Sequence, residues 1–281
     1  MNRIGIVGLG LIGGSLGLDL RAQGYEVIGV SRRQSTCDRA VELGAVDHAT
    51  VDLSALGTAE MLFLCTPINA IVPTLEQVLP YLRPEAIVTD VASVKTPIVA
   101  PATALWHQFV GGHPMAGTAE QGIEAAQRHL FDRAPYVLTP QPNTPTELVD
   151  IMTTLVQHLN SRLYICTPEA HDRAVARISH LPVMVSASLI ASCTQEDGQT
   201  LELAQSLASS GFRDTSRVGG GNPELGVMMA RYNRSALQAA LQDYRAALDT
   251  VIEQIEQEDW AALAALLQQT QAARPPFVEE Q

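Results

Sequence analysis

His113 stands in the run Gly111-Gly112-His113-Pro114-Met115-Ala116-Gly117, directly after the apolar pair Phe109-Val110. Imidazole titrates near neutrality, so His113 is a natural general base at neutral pH. The glycines and the proline predict a loop in which other groups approach the ring closely. Ser93 lies in Asp90-Val91-Ala92-Ser93-Val94-Lys95 and offers a hydroxyl to position a substrate oxygen or the base. Thr66-Pro67 makes a third feature of the same kind. Each of the three follows a predicted strand, and ligands of open parallel sheets lie beyond the carboxyl ends of strands. A loop histidine bonded only to backbone is the plainer alternative for His113.

The first residues supply a second site. The apolar run Ile4-Gly5-Ile6-Val7 leads into Gly8-x-Gly10-x-x-Gly13, with Leu11 and Ile12 between the last two glycines. In a dinucleotide-binding turn the first Gly permits the bend and the second admits a pyrophosphate to the backbone. The third lets the helix pack on the strand. The free N–H groups and the positive end of the helix then hold phosphate. Glycines also mark ordinary turns, but here a helical segment follows, Gly24 stops it, and Tyr25-Glu26-Val27-Ile28-Gly29-Val30 reads as the next strand.

An NAD site places an acid about 20 residues beyond this turn, on the ribose 2′-hydroxyl. The chain has Ser31-Arg32-Arg33 there and no acid. A hydroxyl and two guanidiniums suit a 2′-phosphate, which a carboxylate would repel. The expected cofactor is therefore NADP rather than NAD; two solvated surface arginines are the alternative.

The elements that carry these residues alternate. Met61–Cys65, Ala86–Asp90 and Phe109–Gly111 read as strands, and Ile68–Leu82 as a helix. Tyr136–Leu138 and Leu163–Ile165 read as late or edge strands, with a proline-rich loop at Thr139–Pro145 between them. The alternation predicts an α/β fold, a Rossmann-type doubly wound parallel sheet. From Thr167-Pro168-Glu169, a capped helix start, strand signals fade. Helices are expected to about Ser192, with a kink at Pro182, then over Pro223–Ile255 and Trp260–Thr270. The expected division is residues 1–165, a dinucleotide-binding domain, and residues 166–281, an all-α substrate and dimerisation domain. Ala and Leu on several helix faces suit burial against a second copy, so a homodimer is expected.

Composition narrows the partners. The 281 residues are 46% hydrophobic with a net charge of −12, which argues against nucleic acid and anionic membrane surfaces. Cys37, Cys65, Cys166 and Cys193 are widely spaced, with no C-x-x-C pair, so neither a metal site nor a disulfide framework is expected. The first strand begins at residue 3, leaving no room for a signal peptide, and no apolar run reads as long enough to span a bilayer. A cytoplasmic protein is expected.

Taken together, Gly8-x-Gly10-x-x-Gly13, Asp90-x-x-Ser93-Val94-Lys95, Gly111–Thr118, Ser179-His180-Leu181-Pro182 and Gly211-Phe212-Arg213-Asp214-Thr215-Ser216-Arg217 resemble the prephenate/arogenate dehydrogenase family of tyrosine biosynthesis. The resemblance spans essentially the whole chain. It implies oxidative decarboxylation of a cyclohexadienol carboxylate, with His113 as base, Ser93 hydrogen-bonded to the reacting hydroxyl and Arg217 on a substrate carboxylate. It also implies substrate-side roles for His171, His180 and Thr118. Asp214 is the structural alternative partner for Arg217. His171 and His180 are nine residues apart, roughly 900° around an ideal helix, which puts them on opposite faces unless the kink near Pro182 or a second subunit intervenes. His180, beside the expected kink, is therefore favoured over His171.

Two departures bear on substrate. Many prephenate-using relatives carry a second His where this chain has Val183, and some place an acid directly after Gly117-Thr118, where this chain has Ala119 before Glu120. Loss of a histidine tolerates the ammonium of arogenate better than the ketone of prephenate. The expected reaction is NADP-dependent conversion of arogenate to tyrosine, the alternative being prephenate to 4-hydroxyphenylpyruvate. A β-hydroxyacid dehydrogenase would need a lysine in the long helix after the boundary, and the only lysine is Lys95. An NADP-binding redox sensor would not need Ser93, His113 and Arg217 together.

Overall fold

The computed structural model describes residues 2–118 and 120–278; Ala119, one of the two departures above, lies outside them. The chain divides into two compact units, Met1–Arg234 and Ser235–Gln281.

The first unit is built on eight strands: β1 (Arg3–Val7), β2 (Glu26–Val30), β3 (His48–Thr50), β4 (Met61–Leu64), β5 (Ile87–Asp90), β6 (Phe109–Pro114), β7 (Pro135–Thr139) and β8 (Arg162–Ile165). Their order is β3-β2-β1-β4-β5-β6-β7-β8. Pairing is parallel except between β6 and β7. The order reverses between β1 and β4, which is where a doubly wound sheet binds its ligand.

Strands buried on both faces read as continuous apolar runs, and alternate side chains go to opposite faces. Ile4, Ile6, Met61 and Phe63 enter one apolar cluster with α1 (Leu11–Ala22) and, after α2 (Gln34–Glu42), α3 (Ile71–Val78) and α4 (Thr96–Leu105), with α5 (Thr146–His158). Val7, Leu62 and Leu64 enter a second cluster with α3 and α4. Helices on both faces thus seal the sheet and leave its carboxyl edge for ligands.

Two differences from the sequence reading concern the site. The expected helix Ile68–Leu82 is α3 flanked by 3₁₀ turns at Ile68–Ala70 and Leu79–Tyr81. His113 is not in a loop: β6 runs on through it to Pro114, pairing with β7 so that His113 faces Val137. Gly112 permits this, since a Cβ there would lie 2.7 Å from the Asp90 carbonyl oxygen and 2.9 Å from Thr89 Oγ1.

Beyond β8 the described residues form helices only. Thr167 caps α6 (Pro168–Val175) by accepting from the Ala170 N–H at 3.2 Å. A π turn, Ala176–His180, joins α6 to α7 (Leu181–Cys193). This continuous run, Pro168–Cys193, is long and apolar enough by length and composition to cross a membrane, contrary to the sequence reading. It carries three buried polar side chains, His171, Asp172 and His180, although only 22% of its apolar window is buried. Next come α8 (Gly198–Leu207), α9 (Ser210–Ser216), a 3₁₀ turn at Arg217–Gly220, and α10 (Pro223–Tyr232). The second unit consists almost wholly of α11 (Arg234–Glu256), α12 (Trp260–Ala273) and α13 (Pro275–Val278). The long helix expected over Pro223–Ile255 is thus divided at Asn233, whose backbone (φ −117°, ψ 35°) is not helical.

Candidate active site

At the end of β1, Gly8 has φ +102°, a conformation costly for any residue with a Cβ. A Cβ on Gly8 would strike the Cys65 carbonyl, and one on Gly13 the Gly8 carbonyl. One on Gly10 would meet nothing within 4 Å. The outer glycines therefore close the turn against β4 and α1, and the middle one leaves an open backbone face. No side chain caps α1, whose first residues are the half-buried Leu11 and Ile12. Its leading N–H groups are thus available to a phosphate. The residues present fit a dinucleotide.

Ser31 at the end of β2 is half-buried, and Arg32 and Arg33 are exposed. Neither guanidinium makes a hydrogen bond or ion pair with another described residue. Arg39 nearby behaves differently, binding Glu124 at 2.7 Å and Glu42 at 3.1 Å. Past β4, exposed Pro67 follows Thr66. The Thr66 hydroxyl is buried with no partner among the described residues, and Ser93 Oγ, past β5, is in the same condition. Buried hydroxyls are normally satisfied, so two orphans on adjacent strand ends mark a place for ligand atoms.

His113 on β6 is 9% exposed. Its Nδ1 lies 2.8 Å from His171 Nε2, with the rings edge to face. His171 Nδ1 lies 2.8 Å from Asp172 Oδ1. Asp172 accepts from the backbone N–H groups of Lys95 (2.7 Å) and Thr96 (2.8 Å) at the head of α4. Burial pushes the Asp172 carboxyl up, but the hydrogen bonds from His171, Thr96 and Lys95 outweigh it and hold the group below the usual carboxylate range. Burial, with the neighbouring His171, Lys95 and His180, holds His113 well below the ordinary histidine value. It is neutral at pH 7 and able to accept a proton.

His180 is fully buried. The Asn233 amide nitrogen donates to the Asp172 carbonyl at 2.8 Å and lies 3.2 Å from His180 Nδ1. Nε2 of His180 is then the protonated nitrogen, and it has no partner among the described residues. Burial, only partly opposed by Asp172, brings its pKa to about 4. The opposite faces of an ideal helix do not apply to His171 and His180, because a π turn, Ala176–His180, lies between them and ends directly before Leu181-Pro182, where a kink was expected. The turn's i→i+5 bonds take an extra residue per turn, which changes the angular spacing that an ideal helix would impose.

Below these imidazoles Lys95 and Asp90 form a fully buried ion pair. Lys95 also donates to the Gly112 carbonyl at 2.5 Å, and Asp90 accepts from the Gly112 N–H at 3.2 Å. The pair therefore pins β6 immediately before His113.

Arg217 opens its 3₁₀ turn and is exposed. Asp214 is bonded to Arg213 at 3.2 Å instead, and Arg217 has no hydrogen bond or ion pair with any described residue. Its turn is held against α7, where Ser186 donates to the Thr215 carbonyl at 2.6 Å. Thr118 is exposed and accepts from the Glu120 N–H at 3.2 Å. Val183 is half-buried on α7. No cluster of His, Cys, Asp and Glu able to hold a metal occurs among the described residues.

Two residues of this site escaped the sequence reading, Asp172 and Asn233. Asp172 directly follows His171, and Asn233 interrupts a helical pattern where Asn is a poor helix former. Both were visible, but their partners lie 77 and 53 positions away in sequence.

A glycine turn at the switch point, orphaned hydroxyls at strand ends and a buried neutral imidazole define a dinucleotide-dependent oxidoreductase. Residues 16–165 match the nucleotide-binding domain of prephenate dehydrogenase, and residues 167–269 its dimerization domain. The chain belongs to the prephenate dehydrogenase family. It is 60% identical to arogenate dehydrogenase from Synechocystis, whose crystal structure it matches with a TM-score of 0.89 over 98% of this chain and 100% of that one. It is 25% identical to the Aquifex aeolicus prephenate dehydrogenase crystallised with hydroxyphenyl propionate and NAD+ (TM-score 0.93, 99% and 98% covered). It is 31% identical to Bacillus subtilis prephenate dehydrogenase over 261 residues, covering 90% of this chain and 70% of that protein.

Proposed function

We propose that the chain oxidises and decarboxylates arogenate to tyrosine with NADP, the prephenate reaction being its alternative. The 60% identity to an arogenate dehydrogenase over nearly the full chain carries this reading, and Val183 supports it by leaving no second imidazole for a ketone. A bound nicotinamide supplies the hydride acceptor. The remaining work falls to the chain. Gly8, Gly10, Gly13 and the first N–H groups of α1, from Leu11 and Ile12 onward, hold the pyrophosphate. Ser31, Arg32 and Arg33 bind the 2′-phosphate. Thr66, Pro67 and Ser93 line the nicotinamide end.

His113 accepts the proton of the ring hydroxyl on Nε2, since Nδ1 is engaged by His171. Ser93 Oγ hydrogen-bonds the same hydroxyl. As hydride leaves the carbinol carbon, a carbonyl forms in conjugation with the carbon that bears the carboxylate. The C–C bond to the carboxylate breaks, CO2 leaves, the electron pair enters the ring, and the phenolate so formed takes back the proton held on His113 to give a phenol. Arg217 holds a substrate carboxylate through two parallel hydrogen bonds, with His180 Nε2–H and Thr118 on the substrate side.

Residues 1–165 serve the cofactor in this reading, and 166–281 serve substrate and a homodimer. Exposed Leu203 (59%), Leu207 (71%) and Val227 (65%) suit a subunit contact. The cytoplasm, where biosynthetic dehydrogenases work, is the proposed location. The test is absorbance of reduced cofactor with arogenate and with prephenate, each with NADP and NAD. Fastest turnover for arogenate with NADP is expected; preference for prephenate or NAD would overturn that half of the proposal.

A further inference from the structure

The Asp172 carboxylate is anchored by two backbone N–H groups and is ionised, so it can only accept hydrogen bonds. Its 2.8 Å contact with His171 Nδ1 therefore requires the proton on that nitrogen. With His171 neutral, Nε2 then carries a lone pair. The 2.8 Å contact between His171 Nε2 and His113 Nδ1 in turn requires a proton on His113 Nδ1. His113 Nε2 is left bare. One helix-anchored carboxylate thus dictates the tautomer of two successive imidazoles.

We propose that His171 is a positioning residue that, backed by Asp172, locks His113 in the Nδ1–H tautomer and keeps Nε2 as the base. The proposal rests on the oxidation assigned above. His171 does not meet the substrate, because both its ring nitrogens are engaged within the protein. When His113 Nε2 takes the substrate proton, the imidazolium still donates from Nδ1 to His171, and the Asp172 carboxylate faces the spread charge. Burial disfavours a cation on His113, and His171, Lys95 at the head of α4 and His180 in the π turn all press the same way, so what His171 contributes is the tautomer set by the hydrogen bond, not a counter-charge. The logic is that of a carboxylate orienting a catalytic imidazole.

The test uses the full chain labelled with ¹⁵N-histidine, in wild type and in the variants His171→Leu and His171→Gln. Imidazole nitrogen shifts are expected to show wild-type His113 protonated at Nδ1 and bare at Nε2. In His171→Leu that signature should be lost, and kcat should fall about 10²- to 10⁴-fold, the scale of a wrong tautomer or a lost base. KM for the cofactor should stay unchanged. Gln offers an amide oxygen to His113 and an N–H to Asp172, so His171→Gln should restore the signature and most of kcat. Wild-type His113 protonated at Nε2 would overturn the proposal, as would a His171→Leu kcat within threefold of wild type. Absence of wild-type turnover on either substrate would defeat the function assigned above, whereas the nitrogen shifts would still decide the tautomer.

Discussion

Removing the Lys95 ammonium while leaving Asp90 in place should destabilise the protein strongly and slow the reaction. Both side chains are fully excluded from solvent. Lys95→Met keeps the apolar stem and deletes two donations, one to Asp90 and one to the Gly112 carbonyl. Asp90 retains the N–H groups of Ala92 (2.9 Å) and Gly112 (3.2 Å) but loses its counter-charge. Breaking a buried pair from one side costs about 3–5 kcal/mol, because an uncompensated charge stays behind. For a unit the size of Met1–Arg234, each kcal/mol lowers Tm by about 2–4 °C, so a drop of about 6–20 °C is expected. Thermal melting monitored by circular dichroism reads the drop. If Lys95→Met is too unstable to purify, Asp90→Asn/Lys95→Met removes both charges and should recover most of the loss. Because the pair fixes β6 next to His113, kcat of the single variant should fall while KM for NADP holds. A single variant melting within 2 °C of wild type, or a double variant no better than the single, would refute the charge argument.

Other perturbations separate the remaining roles. Arg32→Ala should raise KM for NADP at least about tenfold, the loss of one charge-assisted contact, and leave KM for NAD unchanged. Arg217→Ala should raise KM for arogenate far more than it lowers kcat, since the interaction persists through the reaction; the opposite split would assign Arg217 to the chemical step. Val183→His should improve kcat/KM for prephenate relative to arogenate, read from initial rates on both substrates. Acid should destabilise the fold through His180. Its folded pKa, about 4, lies below the ordinary 6.5, so the unfolded chain binds the proton first. The stabilisation is complete above pH 6.5, is lost as pH falls, and stops changing below about 4. Urea midpoints should therefore fall from pH 7 to pH 4.5 in wild type and fall less in His180→Gln. The acid limb of kcat/KM should likewise lie below 6.5, because burial holds His113 well under that value.

Much of the fold was legible because parallel strands announce themselves in short continuous apolar runs. Ile4–Val7, Met61–Leu64 and Ile87–Asp90 each stand where the pattern put them. The capped start at Thr167 was legible for the same local reason: hydroxyl, proline and acid fall in consecutive positions. Elements set by distant partners were not. β3 is three residues long, half-buried, and exists only through its pairing with β2. Gly112 and His113 read as a loop beyond the strand Phe109–Gly111 because glycine weakens a strand. Here Gly112 allows β6 to lie close to β5 while β7 completes its pairing from the other side.

The site divides along the same line. The glycine turn needs only its own spacing, so the tight turn at Gly8 and the close packing at Gly13 were readable from the six residues Gly8–Gly13. The imidazole cluster needs β6, the head of α4, the π turn and Asn233 at once. Ideal helix geometry alone separated His171 from His180; the irregularity that breaks it, the π turn Ala176–His180, lies directly before Leu181-Pro182, where a kink was expected but its form was not legible. That turn has a physical consequence for catalysis. An unbroken α-helix through Ala176–His180 would leave one of the two imidazoles on the far face, where Asn233 could not reach both the Asp172 carbonyl and His180 Nδ1. The irregular turn therefore ties the helical region to the base on the sheet: Asp172 anchors it to α4, His171 carries that anchor to His113, and His180 presents its remaining N–H from the same stretch of chain. In this chain the partner that His113 lacks locally is supplied by His171-Asp172, 58 positions further on near the start of α6.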